Sequence, residues 1–173
     1  MLDSDVLVEA LKVAEADNAR SSIASTMSKL AFFEMGFGRT GLAAAGLCNA
    51  LVEALKVAGA DNARDSISYA MVKLALREEG RSGLAAAGAC GALVEALKIA
   101  GADTARDSIA LAMGHLAFCE EGRAGLDAAG AIGALEAAQR MCVGSNRSIV
   151  DALDSLQPHL RPDKRMKLSH GAS

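Results

Sequence analysis

The residues that could carry chemistry in this chain are few, and their spacing does not assemble a reaction centre. Cys48, Cys90, Cys119 and Cys142 have no CxxC spacing, and Cys48 and Cys90 stand at the same place in two copies of one repeated segment. They read as small buried hydrophobes rather than metal ligands or disulfide partners. Cys119 falls on a more variable stripe, where it could be exposed, but has no nearby base to make it a catalytic thiol. Gly36-x-Gly38-x-x-Gly41 matches the glycine pattern of a dinucleotide-binding turn, yet no strand precedes it and the repeat accounts for the glycines. No stripe pairs two carboxylates, no Ser/His/Asp constellation recurs, and no phosphate-binding loop lies in a fitting context. The expectation is a protein that is not an enzyme and needs no cofactor.

The elements that position the remaining polar residues come from duplication. ALVEALKVAGADNARDSI at Ala50–Ile67 returns as ALVEALKIAGADTARDSI at Ala92–Ile109 and is prefigured at Val6–Ile23. Leu47–Gly88 and Ala89–Gly130 align over a period of 42, with 30 identical positions and 12 differences. Six differences, at Ser68/Ala110, Tyr69/Leu111, Val72/Gly114, Lys73/His115, Leu76/Phe118 and Arg77/Cys119, step along one stripe of a helix. Ile67, Ala70, Met71, Leu74 and Ala75 form the other stripe, and each is matched by its counterpart. The matched stripe reads as core, and the variable stripe as the unpacked face along which a solenoid binds.

The first copy, about residues 4–35, contributes a helix through VLVEALKVA, a turn at EAD and a longer helix through SSIASTMSKLAFF. Copies at about 38–79, 80–121 and 122–156 open with GRTGLAAAG, GRSGLAAAG and GRAGLDAAG, each a short helix closed by a glycine, and so have three helices. Gly59-Ala60-Asp61 and Gly101-Ala102-Asp103 suggest a glycine end followed by a capping Asp. The last copy decays, with helices through ALEAAQRM and about Ser148–Leu156. Residues 1–157 thus form one repeat domain, and 158–173 a basic tail expected to be disordered.

The 42-residue period, the short helix closed by Gly, AGACGALVEALK or AGAIGAL, and a longer helix ending AxxxLA resemble the armadillo repeat over roughly residues 4–156. The resemblance implies an all-α, right-handed solenoid of three-helix repeats whose third helices line a concave groove for extended partner segments. Many such proteins carry Asn there, and importins add Trp one turn earlier. Here Lys29, Lys73 and His115 stand at the Asn positions and Ser25, Tyr69 and Leu111 at the Trp positions. That departure speaks against importin-like capture of a basic signal, and Lys29, Lys73 and Arg77 favour an acidic or phosphorylated segment. A two-residue insertion clusters Phe32, Phe33, Met35 and Phe37 at the groove edge, either as a partner contact or as a cover for the end of the core.

Charge and composition bound the rest. The 173 residues carry a net −3; the tail's Arg161, Lys164, Arg165 and Lys167 against Asp163 leave the repeats at about −6. With one Tyr, four Phe and no Trp, base stacking is poorly served and nucleic acid is not the expected partner. No long uncharged apolar run predicts a membrane span, and the start MLDSDVLVEA does not read as a signal peptide. The expected setting is cytoplasmic; Lys164-Arg165-Met166-Lys167 resembles a short nuclear-import signal, which would add the nucleus. The expected role is a protein-interaction scaffold binding an acidic or amphipathic segment through Ser25, Lys29, Phe33, Tyr69, Lys73, Arg77, Leu111 and His115. The alternative is a homo-oligomer assembled through the uncovered ends of the array.

Overall fold

A computed structural model of the chain describes residues 4–34, 41–144 and 146–157, with only the backbone at 4–5, 28–34 and 41–45. The described residues form helices α1 (Ser4–Val13), α2 (Asp17–Glu34), α3 (Gly41–Val57), α4 (Asp61–Ala75), α5 (Glu78–Ala86), α6 (Ala89–Ile99), α7 (Asp103–Leu116), α8 (Glu120–Ala128), α9 (Ala131–Met141) and α10 (Arg147–Leu156), and no strand. They stack in three rows: α1, α3, α6 and α9 as second helices, α2, α4, α7 and α10 as third helices, and α5 against α8 as short ones. The architecture is an α-solenoid. Among the described residues no single helix is long and apolar enough to cross a membrane.

The matched stripe is the core, as its sequence identity suggests. Ile67, Ala70, Met71, Leu74 and Ala75 are buried, as are Ile109, Ala112, Met113, Leu116 and Ala117. Leu51, Leu93 and Leu135 of the second helices, with Leu84 and Leu126 of the short ones, fill the interior between them. The variable stripe is only half open. Ser68, Val72 and Ala110 are buried too, because successive third helices pack along that edge. A Cβ added at Gly114 would lie 3.5 Å from the Ala152 Cα, so the Val72/Gly114 difference reflects a different neighbour rather than solvent.

The short helices turn sharply into the second helices where glycine permits it. Gly88 has φ 82° and Gly130 φ 75°, a left-handed conformation that costs other L-residues about 1 kcal/mol or more. Glu78–Ala86 and Ala89–Ile99 consequently meet at 77°. Gly46 does not act this way: α3 runs unbroken through it, fusing the short and second helices expected of that copy. The short helices α5 and α8 pack on one another, and α3 packs on α5. A lone glycine inside a helix costs about 1 kcal/mol, too little by itself to force a bend.

The Gly-Ala-Asp segments also differ from expectation. Ala60 and Ala102, not the aspartates, are the N-caps of α4 and α7, and no side-chain cap bond forms. Asp61 instead reaches the next copy, accepting from Gly101 N at 3.0 Å and Ala102 N at 2.7 Å, while Arg64 Nη1 binds it at 2.8 Å. Asp17 accepts from Gly59 N at 3.2 Å and Arg20 Nη1 at 2.9 Å in the same way. Partial burial raises the Asp61 carboxyl's pKa, but the N–H groups of Ala102 and Gly101 and the Arg64 guanidinium outweigh it, so the carboxyl titrates below its usual range. Gly59 and Gly101 are therefore not left-handed helix ends; an added Cβ would come within 3.0 Å of the Asp17 or Asp61 carboxylate.

Candidate partner-binding face

Third helices position the candidate side chains, and the clasps just described fix the offset between one third helix and the next. On α4, Tyr69 is 43% exposed and Lys73 half-buried, with its Nζ 4.7 Å from the Tyr69 ring centroid. That is a cation–π contact, which holds the ammonium against the aromatic face. On α7, one copy along, His115 is half-buried and its ring centroid lies 6.2 Å from that of Phe118. Phe118 is 66% exposed and its counterpart Leu76 46%, so the C-terminal ends of both helices offer apolar surface.

Arg81 joins this group from α5. Its Nη1 donates to the carbonyl of Ala75 at 3.1 Å, closing the end of α4, and Arg123 does the same to Ala117 through Nη2 at 3.0 Å. Gly80 makes this approach possible, since a Cβ there would lie 2.0 Å from the Leu74 carbonyl oxygen. Burial pushes the His115 imidazole below its ordinary pKa, and the positive charges of Arg81 and then Lys73 push it further. Sequence comparison passes over Arg81 because it is identical in both copies: its bond to the preceding helix is structural. The repeated Gly-Arg pair was the available signal.

The sequence candidates therefore divide. Tyr69, Lys73 and His115 come together on adjacent copies, and Arg77 is exposed at the start of α5. Leu111 is half-buried and packs against the core. Ser25 is half-buried on α2. Lys29 and Phe33 lie on α2, with side chains outside the described residues, as are Phe32, Met35 and Phe37 and the tail's Lys164, Arg165 and Lys167. Toward the N-terminal ends of the third helices the same face becomes polar and acidic, with Ser21 and Ser66 hydroxyls 2.7 Å apart and Ser108 bonded to Asp65. The basic character belongs to the C-terminal ends.

Cys48 and Cys90 are buried, which pushes both thiols up to about 11. Cys119 is half-buried, and its sulfur accepts from Gly122 N at 3.4 Å to cap α8. Among the described residues no group of His, Cys, Asp or Glu is arranged to hold a metal ion.

No family model and no curated protein sequence matches the chain. Solved structures do resemble it. An engineered protein superimposes with a TM-score of 0.72 at 17% identity, over 90% of this chain and 63% of the other. A designed armadillo repeat protein gives a TM-score of 0.69 at 21% identity, over 87% of this chain and 63% of its own length. A second engineered protein gives 0.64 at 21% identity, over 90% and 70%. At these identities the likeness establishes a helical-repeat fold; the chain spans 63% of the length of the first two.

Proposed function

We propose that the chain is a binding scaffold, without catalytic activity, whose third-helix face takes an acidic or amphipathic segment of a partner protein. One observation carries the reading: Tyr69, Leu76 and Phe118 are exposed on the face that bears Lys73 and His115, combining apolar contact area with the positive charge of Lys73 in a body of net negative charge. Aromatic and basic side chains concentrated on one face suit a partner whose acidic groups are flanked by apolar ones. Nucleic acids fit less well, since the rest of the repeat body is acidic. The test is charge reversal, with binding of acidic peptides measured for the native chain and for Lys29→Glu/Lys73→Glu. A loss of tenfold or more, about 1.4 kcal/mol, supports the reading; undiminished binding removes it.

A second reading, self-association through the array's first copy, is favoured by Val6. This residue is 60% exposed, whereas its repeat counterparts Ala50, Ala92 and Ala134 are buried. Sedimentation or light scattering across a hundredfold concentration range tests it, and a monomer throughout excludes it.

A further inference from the structure

The two ends of the stack are finished differently. Each later second helix buries a leading stripe of alanines: Ala50 and Ala54 on α3 with Ala58 just past it, Ala92 and Ala96 on α6 with Ala100, and Ala134 and Ala138 on α9. The matching positions of the first copy are Val6, Ala10 and Ala14; Val6 is 60% exposed and the two alanines are half-buried. The third helices repeat the contrast. Ala63 and Ile67 on α4 and Ala105 and Ile109 on α7 are fully buried, whereas on α2 Ala19 is exposed and Ile23 half-buried. The stripe is covered in every copy but the first, so it faces the preceding copy, and among the described residues α1 and α2 have no such neighbour. The trailing stripe ends in the opposite sense. Val52 and Leu55 on α3, and Val94 and Leu97 on α6, are buried, but at the same positions α9 carries Glu136, exposed, and Gln139, half-buried. A polar outer face is how a repeat array stops further stacking. The first copy instead has a larger apolar residue, Val6, where the later copies have alanine.

We infer that this leading face is a self-docking surface on which two copies of the chain pair symmetrically, α1 against α1, as a closed dimer. The inference rests on the reading of self-association through the first copy and gives it a geometry. Head-to-tail stacking would set the leading stripe on Glu136 and Gln139 and bury a carboxylate against apolar side chains, whereas a two-fold axis uses the leading face alone. Val6 and Ala14 stand about one turn either side of Ala10, so an antiparallel pair centred on Ala10 seats Val6 of each copy against the smaller Ala14 of the other. The charged pairs at the margin of the face are already matched within the chain, Lys12 with Glu9 at 2.6 Å and Arg20 with Asp17 at 2.9 Å, so apposing two copies brings no net charge from them.

The test follows the mass of the full chain by sedimentation over about a hundredfold range of concentration. A plateau at two chains is expected, with the dissociation constant raised at least about tenfold by Val6→Asp. Val57→Asp should leave it unchanged: Val57 is 59% exposed, much like Val6, but it stands off the leading face, and its counterpart Ile99 is 64% exposed in the next copy. Circular dichroism checks that both variants keep their helicity. Growth past two chains that Val6→Asp still suppresses would overturn the symmetric pairing and leave self-association through the first copy standing. A dimer indifferent to Val6→Asp, or a monomer throughout, would remove both.

Discussion

Asp61→Ala removes the clasp between the second and third copies, and the structure sets the size of the effect. The carboxylate accepts from Gly101 N at 3.0 Å and Ala102 N at 2.7 Å, charge-assisted bonds worth about 1.5–3 kcal/mol each when well buried. Because the Asp61 side chain is 28% exposed, about 1 kcal/mol apiece is the better figure. Arg64 loses its ion partner at 2.8 Å while keeping the Gly59 carbonyl at 3.0 Å, and a nearly buried guanidinium with half its partners gone adds about 1 kcal/mol. The expected loss is about 3 kcal/mol in urea unfolding, with a lowered midpoint and, if the interface is weakened enough, separate unfolding of the two halves. Asp61→Asn keeps one acceptor and should lose about half as much. Glu53→Ala, which breaks only the exposed pair with Lys56, should stay within about 0.5 kcal/mol. An Asp61→Ala variant as stable as Glu53→Ala would refute the clasp.

Other perturbations test separate parts of the account. The buried Ser68 hydroxyl has no hydrogen-bond partner among the described residues, and Ala110 fills the same place one copy later; Ser68→Ala should stabilise by about 0.5–1.5 kcal/mol, and a lowered thermal midpoint would contradict the packing. Gly88→Ala, at φ 82°, should destabilise by about 1 kcal/mol, whereas Gly46→Ala, inside a continuous helix with nothing within 4 Å of the added Cβ, should stabilise by a similar amount; equal effects in chemical denaturation would show the two glycines to be alike. His115 titrates below the ordinary histidine value of 6.5 in the fold, so the unfolded chain takes up its proton first. Its stability contribution holds above that value and is lost as pH falls through it, so His115→Asn should flatten the dependence of the urea midpoint between about pH 7.5 and 5.5. An unchanged slope would contradict the lowering of the His115 pKa by burial and by Arg81 and Lys73.

Much of the fold was written in the repeats. The identity of Ile67, Ala70, Met71, Leu74 and Ala75 with their counterparts located the core because every copy meets the same neighbours there. Variation proved a less direct guide to exposure: Ser68 and Val72 vary yet are buried, since a third helix also packs on unlike neighbours and each pair can adjust its volumes. The roles of Asp17 and Asp61 were hidden for a related reason. An aspartate at the first turn of a helix ordinarily suggests a local cap, and only the stacking of copies brings the next loop's N–H groups to Asp61. At the candidate face, Lys73 and His115 were legible as differences between copies. Arg81 was not, because a residue whose guanidinium closes the preceding helix must be the same in each.

The most direct measurement of the central claim is site-specific cross-linking at the C-terminal ends of the third helices. A photoreactive side chain is placed at Tyr69 and, as a control, at Glu95 on a second helix, and each chain is exposed to a panel of acidic, neutral and basic peptides. The account predicts that acidic peptides with apolar flanks attach at Tyr69, that attachment falls at least about tenfold with Lys73→Glu, and that Glu95 captures little. Equal attachment at both sites, or capture at Tyr69 that is indifferent to peptide charge and to Lys73→Glu, would contradict it.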